Sequence, residues 1–318
     1  MSEGIMDGLS KDKKTAYLLL VVLWLVWGNF WVVSKNALPV MGGAWMLSLL
    51  KIAGGVVVLF IALFIKRKSL SMTPPPFLPT LLYGLTQTTG FTALTVFALT
   101  HGGAGKVSVL AYSMPIWVII LNTLVLKQKL AISQAIKLSI PIIGFVIVVA
   151  PWSINESKQV ISSVMALLGG LSWGISVLIL KWILKKNPTV NVLNLTAWQM
   201  LYGLIPLIAL AWYMPHPPIV FNQTFILSFL YIAIVVSALG WFCWAAIASK
   251  LPANIASINS LAAPAVAMMS GMIFLGNMLS ATDLLGVTLI FGGIIIIFAT
   301  SKKKSNKVST TVASSQKS

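Results

Sequence analysis

The sequence predicts an all-α integral membrane protein with ten transmembrane helices, arranged as two inverted five-helix repeats with both termini in the cytoplasm. Three observations lead to this prediction: the composition, a series of long apolar segments, and a similarity between the two halves of the chain. Of the 318 residues, 58% are hydrophobic and 8% are charged, whereas about a quarter of the residues of a soluble domain are charged. Because so few charged groups cannot cover a water-soluble surface, the composition indicates membrane embedding.

The apolar segments define the predicted spans, since a transmembrane helix needs ~20 mostly apolar residues. Ten segments meet this requirement: 15–36, 44–65, 77–99, 104–126, 132–150, 161–184, 191–213, 224–249, 253–275 and 282–300. Short stretches with turn-forming residues, such as "HGGAG" and "KKNPTVN", separate them. The C-terminal segment, 301–318, is polar and basic, and we expect it to be a disordered cytoplasmic tail.

The distribution of lysine and arginine between alternate loops predicts the orientation in the membrane. Sixteen of these residues fall on the side of the termini, whereas Lys35, Lys106 and Lys158 fall on the other side. Since basic residues accumulate in cytoplasmic loops, both termini are predicted to be cytoplasmic. The regular alternation also favours ten spans, because one missed span would invert every loop that follows it.

Two nine-residue stretches show that the halves of the chain are related. They are "WGNFWVVSK", from Trp27 to Lys35, and "WGISVLILK", from Trp173 to Lys181. The offset is 146 residues for these stretches and 149 residues between Pro115 and Pro264. A similar offset aligns the first five predicted helices with the last five, in order.

The self-similarity predicts two five-helix units, 15–150 and 161–300. Because five is an odd number, the second unit enters the membrane from the side opposite to the first. This inverted plan is common in secondary transporters, whose substrate sites lie at the interface between the repeats. Channels also use inverted repeats, so the plan favours a carrier without excluding a pore.

The motifs resemble those of EamA-type members of the drug/metabolite transporter superfamily. The resemblance is carried by the "WGNFWVVSK" helix, by the proline-containing helices "AYSMPIWVII" and "NSLAAPAVAM", and by apolar closing helices with a central glycine. It covers nearly the whole chain from the first to the tenth span, and it implies export or exchange of small metabolites, often amino acids. The family often has a glutamate just after the fourth and ninth helices. Gln128 and Asn277 stand there in this chain, so no role of that glutamate is carried over.

Several classes of function are excluded by missing patterns. The net charge is +17, but the lysines lie between apolar runs and form no basic patch with interleaved aromatic residues, so we expect no nucleic-acid partner. The single cysteine, Cys243, cannot form an intrachain disulfide. H-E-x-x-H and phosphate-loop motifs are absent from the sequence, and no cofactor, metal site or enzymatic activity is expected.

The acidic residues are placed where they cannot form a proton relay at mid-membrane depth. They are Glu3, Asp7, Asp12, Glu156 and Asp283. The first three lie in the N-terminal segment, Glu156 lies in a loop, and Asp283 lies at the start of the last helix, where it favours the helix dipole. Both histidines fall in predicted outer loops. Transport is therefore expected to be passive, or to be coupled through a lysine or through the substrate's own proton.

Polar residues inside the predicted helices are the first group of candidate substrate-binding residues. They are Asn29, Gln87, Tyr112, Ser113 and Asn259. Buried amides and hydroxyls need partners in lipid, so bonding between helices is the alternative role for each. The fourth and ninth helices carry "YSMP" and "NSLAAP" at repeat-related positions. Because proline frees a backbone carbonyl and breaks the helix, these helices are the expected location of the site.

Tryptophans and lysines form the second group of candidates. Trp27, Trp173 and Trp241 are expected to form apolar walls of the site, with helix packing as the alternative, since the glycines after Trp27 and Trp173 allow close helix approach. Lys51 lies early in the second helix, where it either faces a cavity and meets a substrate carboxylate or extends to the membrane surface. For Lys35 and Lys181, extension to the surface is the main prediction.

Together these features predict a multi-pass protein of the cytoplasmic (inner) membrane that transports small metabolites. Amino acids or related compounds are the favoured substrates, moved outward or exchanged by alternating access. A passive facilitator or pore on the same plan is the alternative. The partners expected are a small-molecule substrate and the lipid bilayer, and the sequence leaves monomer and dimer open.

Overall fold

The computed structural model describes residues 2–67, 73–125, 127, 132–149, 157–253, 256, 260–276, 280–282, 284–293 and 295–296. Within these residues the regular elements are helices, and the only β contact is an isolated antiparallel bridge between Met41 and Ile219. The predicted all-helical class is therefore confirmed. The tail 301–318, together with Asn259, Asp283, Gln128 and Asn277, lies outside the described residues.

The helices follow the predicted order, and the described residues include two π-helical segments. The first half contains α1 (Ser2–Ala37), α2 (Gly43–Ile65), α3 (Phe77–Gly84), π1 (Leu85–Gly90), α4 (Phe91–His101), α5 (Ala104–Ala111), α6 (Met114–Leu124) and α7 (Ile132–Val149). The second half contains α8 (Ser157–Lys186), α9 (Val192–Tyr213), α10 (Gln223–Leu230), π2 (Tyr231–Leu239), α11 (Gly240–Lys250), α12 (Ala262–Leu275) and α13 (Leu284–Gly293). The first helix begins at Ser2, well before the predicted residue 15.

Six helical stretches of the described part are long and apolar enough to cross a membrane. They are Tyr17–Ala37, Gly43–Ile65, Ala104–Leu124, Ser157–Lys186, Val192–Tyr213 and Gln223–Lys250. Some of them join consecutive elements, such as α5 with α6 and α10 with π2 and α11. Shorter apolar helices, Ala135–Ile147, Ala262–Phe274 and Leu284–Gly293, fall within the fifth, ninth and tenth predicted spans. The third predicted span coincides with the continuous run from α3 through π1 to α4. The chain is a multi-pass membrane protein, while the total of ten spans and the position of the termini stay predictions.

The two halves are interlocked. The first helix of the chain, α1, packs against α11 and α12 of the second half, and α8, the first helix of the second half, packs against α4, α5 and α6 of the first. In the same reciprocal way α2 packs against π2, and α9 packs against π1. The boundary between the halves therefore runs through the interior of the molecule.

Repeat-related glycines allow these close contacts between the halves. A Cβ atom on Gly28 would lie 2.5 Å from Val266 Cγ1, and one on Gly174 would lie 2.9 Å from Trp117 Cβ. The glycine of each Trp-Gly pair thus faces a helix of the other half. The absence of a side chain there allows the two helices to approach closely. This packing role of the two glycines was one of the alternatives open from the sequence.

The two π-helical segments lie at repeat-related positions in the third long helix of each half. Their first residues, Leu85 and Tyr231, are 146 residues apart, and their last residues, Gly90 and Leu239, are 149 apart. These offsets equal those found in the sequence. Wide helical turns of this kind occur frequently at functional sites, and the proline pattern of the sequence did not indicate them.

Lys35 and Lys181 each bind the C-terminal end of a helix, while their extension to the membrane surface stays a prediction. Lys35 Nζ donates to Leu99 O at 2.5 Å and to Gly102 O at 2.9 Å, at the C-terminus of α4. Lys181 Nζ donates to Ala248 O and Leu251 O, at the C-terminus of α11. The last carbonyls of a helix lack partners and carry the negative end of the helix dipole, which explains why a lysine is placed at each of these two repeat-related positions.

We expect Lys35→Met and Lys181→Met each to destabilise the protein by about 1–2 kcal/mol, because each substitution leaves two helix-terminal carbonyls without their charged donor. The thermal unfolding midpoint of the detergent-purified protein measures the effect. Lys185→Met is the control, since Lys185 is an exposed residue of the last turn of α8, and its midpoint should equal that of the wild type. Wild-type midpoints for both Lys35→Met and Lys181→Met would contradict the capping role.

Candidate substrate site

A cluster of buried aromatic rings lies at the boundary between the two halves. We call it the central aromatic cluster; its members are Trp27, Phe91, Tyr112, Trp173, Trp241 and Trp244. The Trp27 ring centroid lies 4.7 Å from that of Trp241 and 5.5 Å from that of Trp173. The Trp173 centroid in turn lies 5.0 Å from Phe91, 5.3 Å from Tyr112 and 5.2 Å from Trp244. The cluster thus joins residues of α1, α4, α8 and α11 with the end of α5.

Trp27 and Trp173 contact each other although they occupy the same position in the two repeats. Their rings meet edge to face, with an interplanar angle of 78°. Equivalent residues of two related units touch only where the units meet, so this contact marks the centre of the boundary between the halves. Such a location is where a carrier built from repeats binds its substrate.

Several buried nitrogen atoms in and beside the cluster have no hydrogen-bond partner among the described residues. The indole N–H groups of Trp173, Trp241 and Trp244 are of this kind. By contrast, Trp27 Nε1 donates to Val236 O of π2 at 3.3 Å. An unpaired buried donor costs roughly 1–3 kcal/mol, so the described structure leaves polar groups that a bound molecule can satisfy.

Two buried glutamines, Gln87 in π1 and Gln199 in α9, also carry a nitrogen atom without a hydrogen-bond partner among the described residues. Gln87 Oε1 accepts a hydrogen bond of 2.8 Å from Ser176 Oγ of α8, and Gln199 Oε1 accepts one of 2.8 Å from Thr88 Oγ1. The amide nitrogens of both glutamines have no partner among the described residues. Gln87 is completely buried and connects the two halves through Ser176.

Lys51 is buried inside the protein, with 2% of its surface exposed. Its Nζ lies 4.2 Å from the centroid of the Phe30 ring, a distance typical of a cation–π contact. Phe30 follows Trp27 by three residues of α1, so the lysine lies within about one helical turn of the central aromatic cluster along this helix. The lysine is therefore enclosed by the protein, and its contact with a substrate carboxylate stays a prediction.

Lys51 has no carboxylate partner in the part of the chain that the structure describes. Glu3, Asp7 and Asp12 lie in the N-terminal turns of α1, and Asp12 precedes Phe30 by eighteen residues, which corresponds to about 27 Å of helix. Glu156 and Asp283 lie outside the described residues. A buried cation without a countercharge is costly and typically functional in a membrane protein.

Tyr112 and Ser113 form the break between α5 and α6. The Tyr112 ring contacts Trp173, and Ser113 Oγ accepts a hydrogen bond of 3.1 Å from Trp117 Nε1. Pro115 lies in the first turn of α6 and starts the new helix. At the repeat-related position, Ser260 and Leu261 form a turn before α12. Breaks in both halves agree with the proline pattern of the sequence.

The structure does not bring every predicted residue to the cluster. Trp27, Trp173, Trp241 and Tyr112 lie in it, with Gln87 nearby through Ser176 and Trp173. Asn29 is half-buried, and its Nδ2 donates to Leu25 O of the same helix at 2.8 Å. Asn259 lies outside the described residues, so its predicted role is neither supported nor opposed by this geometry.

Phe91 and Trp244 belong to the cluster but were not among the candidates. Trp244 follows Trp241 by three residues and therefore lies on the same face of α11, which was a signal available in the sequence. Phe91 directly follows π1, and its location depends on the wide helical turns that precede it. No local pattern in the sequence indicated that conformation.

The cluster is closed in this conformation. The pocket beside it leaves no room for a water-sized molecule, whereas ligand pockets typically have volumes of roughly 300–1,000 Å³. Its lining consists of Leu20, Leu23, Trp24, Trp27, Trp244, Ser260 and Ala263. A substrate that binds among the rings therefore requires the helices to separate.

Two related halves that meet at a buried aromatic cluster are compatible with the repeat architecture of membrane transporters. Comparison with protein families agrees: the EamA-like transporter family matches residues 14–150 and again residues 160–299. The chain belongs to the EamA-like transporter family. It is therefore a membrane transporter of small molecules and not an enzyme.

Named relatives cover almost the entire chain. The "Uncharacterized transporter YoaV" of Bacillus subtilis is 24% identical over 90% of this chain and 97% of its own length. Two proteins named "Probable amino-acid metabolite efflux pump" are similar as well. The one from Salmonella typhimurium is 28% identical, covering 94% of this chain and 99% of its own length, and the one from Escherichia coli is 26% identical, covering 93% and 99%.

A solved structure described as "Crystal structure of protein" has the same fold. It superimposes with a TM-score of 0.72 at 16% sequence identity, over 91% of this chain and 98% of its own. At this level of identity the similarity concerns the fold alone.

Proposed function

We propose that this chain is a secondary transporter that moves amino acids or related small metabolites outward, or in exchange, across the cytoplasmic (inner) membrane. The observation that carries the proposal is the central aromatic cluster, which is buried at the boundary between the halves and retains unpaired indole N–H groups. The substrate class is supported by the two similar proteins named as amino-acid metabolite efflux pumps.

The proposed mechanism is alternating access. Ten spans, both termini in the cytoplasm, and two inverted units over 15–150 and 161–300 would make the site reachable from each side in turn. The contacts that would change during this motion are those between the halves at the π segments. Trp27 Nε1 donates to Val236 O of π2, and Ser172 Oγ donates to Thr86 O of π1 at 2.8 Å.

Individual residues have distinct proposed roles at this site. The rings of Trp27, Trp173 and Trp241 would contact the apolar part of the substrate, and Gln87 and Tyr112 would supply hydrogen bonds. Lys51 would bind a substrate carboxylate, because the described residues provide it with no other anionic partner. Ser113, Asn29 and Asn259 stay secondary candidates.

Counterflow in liposomes, together with the variant Gln87→Ala/Tyr112→Ala, tests the carrier against the alternative of a passive facilitator or pore. We expect preloaded substrate to accelerate uptake by the wild type, because a substrate-loaded carrier reorients across the membrane faster than an empty one. We expect the double variant to lose most of this uptake. Its amount in the membrane should stay near the wild-type level, since neither side chain donates a hydrogen bond to a helix end among the described residues. A metabolomic comparison of media from cells with and without the overexpressed protein identifies the compound to use.

The matched control is Thr123→Ala. Thr123 lies near the end of α6 and bonds only to Ile119 O of its own helix among the described residues. Uptake that does not depend on preloading would indicate a pore. Wild-type uptake by the double variant would show that Gln87 and Tyr112 do not bind the substrate.

A further inference from the structure

We infer that the site selects an anionic substrate with a flat apolar body and no ammonium group, such as a 2-oxo acid, over the corresponding amino acid or amine. This inference rests on the proposed function and narrows its substrate class from amino acids and related metabolites to those related metabolites that carry no ammonium group. It follows from the kinds of polar atom that the described residues leave unpaired: the indole and amide nitrogens can only donate, and the hydroxyls of Ser34, Ser48 and Thr92 can donate as well as accept.

The first observation concerns the tryptophans. The indole nitrogens of Trp173, Trp241 and Trp244 are buried and have no partner among the described residues, and an indole N–H can donate a hydrogen bond but cannot accept one. A ligand that offers several acceptor oxygens, such as a carboxylate with an adjacent carbonyl, satisfies such groups. An ammonium group has three donors and no acceptor, so it leaves these indole groups unpaired.

The second observation concerns three acceptors near the cluster that already receive hydrogen bonds from the protein. Gln87 Oε1 accepts from Ser176, Ser113 Oγ accepts from Trp117, and Val236 O accepts from Trp27. An incoming ammonium group would have to compete for these atoms, and the acceptors left to it are hydroxyls such as those of Ser48 and Thr92. Because each of these unpaired indole nitrogens, amide nitrogens and hydroxyls can donate and only the hydroxyls can also accept, the balance favours a ligand that accepts hydrogen bonds.

The third observation concerns charge. An aromatic cluster alone suits a cation, because the ring faces carry negative potential. Here Lys51 already places an ammonium over the Phe30 ring, close to Trp27 along α1, and no described carboxylate offsets it. In a medium of low dielectric this positive charge repels a second cation and attracts an anion, so the electrostatics and the hydrogen bonding favour the same ligand.

The test compares three probes that share a phenyl ring and differ in the polar group: phenylpyruvate, phenylalanine and 2-phenylethylamine. Binding to the detergent-purified full chain is measured by the dependence of the thermal unfolding midpoint on probe concentration. We expect the Kd of phenylpyruvate to be at least about tenfold below that of phenylalanine, since an unpaired buried ammonium costs at least as much as a tenfold change in affinity. We expect no shift of the midpoint with the amine.

The variant Trp244→Phe replaces the indole with a smaller phenyl ring and removes one N–H that has no partner among the described residues. It should weaken binding of phenylpyruvate several-fold, because the oxo acid loses one donor to its acceptor oxygens. Trp212→Phe is the matched control, because Trp212 is 81% exposed, and it should bind all three probes as the wild type does.

Two results would overturn the inference: a midpoint that does not respond to phenylpyruvate, or affinity for phenylalanine or the amine that equals or exceeds that for the oxo acid. The counterflow experiment separates this failure from failure of the proposed function. Counterflow of a metabolite that carries an ammonium group would keep the carrier and reject the selectivity, whereas uptake indifferent to preloading would reject the carrier itself.

Discussion

Replacement of Gly84 by leucine is expected to prevent the chain from folding in the membrane. A Cβ atom on Gly84 would lie 2.3 Å from Gln199 O and 3.0 Å from Gly203 N. These are backbone atoms of α9, so they cannot move aside as the end of a side chain can. Gly203 is restricted in return, because its own Cβ atom would lie 2.5 Å from Gly84 O. The helices α3 and α9 thus meet backbone to backbone across the two halves.

The size of this effect follows from the kind of atoms involved. Overpacking in a core that can adjust costs typically about 1–3 kcal/mol, and a clash with backbone should exceed this range. Size-exclusion chromatography of a fluorescently tagged variant measures the yield of monodisperse protein, and we expect nearly complete loss for Gly84→Leu.

Gly103→Ala is the control for this substitution. A Cβ atom on Gly103 meets nothing within 4 Å, and its φ of −73° is accessible to any residue. This variant should give a wild-type yield. A wild-type yield of Gly84→Leu would show that α3 and α9 can separate without unfolding.

Lys51→Met is expected to reduce transport by about 10- to 100-fold while the protein stays folded. Methionine preserves the length and the apolar stem of the side chain but removes the charge that would bind a substrate carboxylate. A hydrogen bond to a charged group contributes about 1.5–3 kcal/mol, and 1.4 kcal/mol corresponds to about tenfold. Because the lysine is buried without a described carboxylate partner, its removal should leave the unfolding midpoint unchanged or raise it.

Rates of substrate counterflow and thermal midpoints, measured on the same preparations, separate binding from folding. Lys185→Met serves again as the control, since it removes one positive charge at an exposed position. A variant Lys51→Met that transports at the wild-type rate would exclude Lys51 from the substrate site. Loss of folding would instead assign the lysine to the stability of the α1–α2 contact.

The candidate site was partly predictable because Trp27 and Trp173 repeat with the same offset and carry the same following glycine. Their role in a shared centre then follows from the inverted plan. Gln87 and Tyr112 were identified as polar residues in apolar helices, which is an unusual choice in lipid. Phe91 was not identified, because its position depends on the π1 segment, and no propensity of the sequence marks a π-helical turn.

Lys35 and Lys181 show that a local pattern does not identify the hydrogen-bond partner of a side chain. A lysine near the end of an apolar helix normally reaches for the membrane surface, and the sequence alone favours that outcome. The structure provides a nearer partner, the free carbonyls at the ends of α4 and α11. These acceptors belong to helices more than sixty residues away along the chain, so only the packing brings them within reach.

By itself, the sequence determined that the chain is helical, membrane-embedded and built from two related halves. The physical reason is that lipid offers no hydrogen-bond partners, so the backbone N–H and C=O groups must bond to one another within apolar helices. The lengths of these helices and the positions of their glycines can be read from the sequence. Only the tertiary structure decided how the halves interlock, where the helices widen into π1 and π2, and which indole groups stay unpaired. These features depend on contacts between distant segments, whose geometry no local pattern specifies.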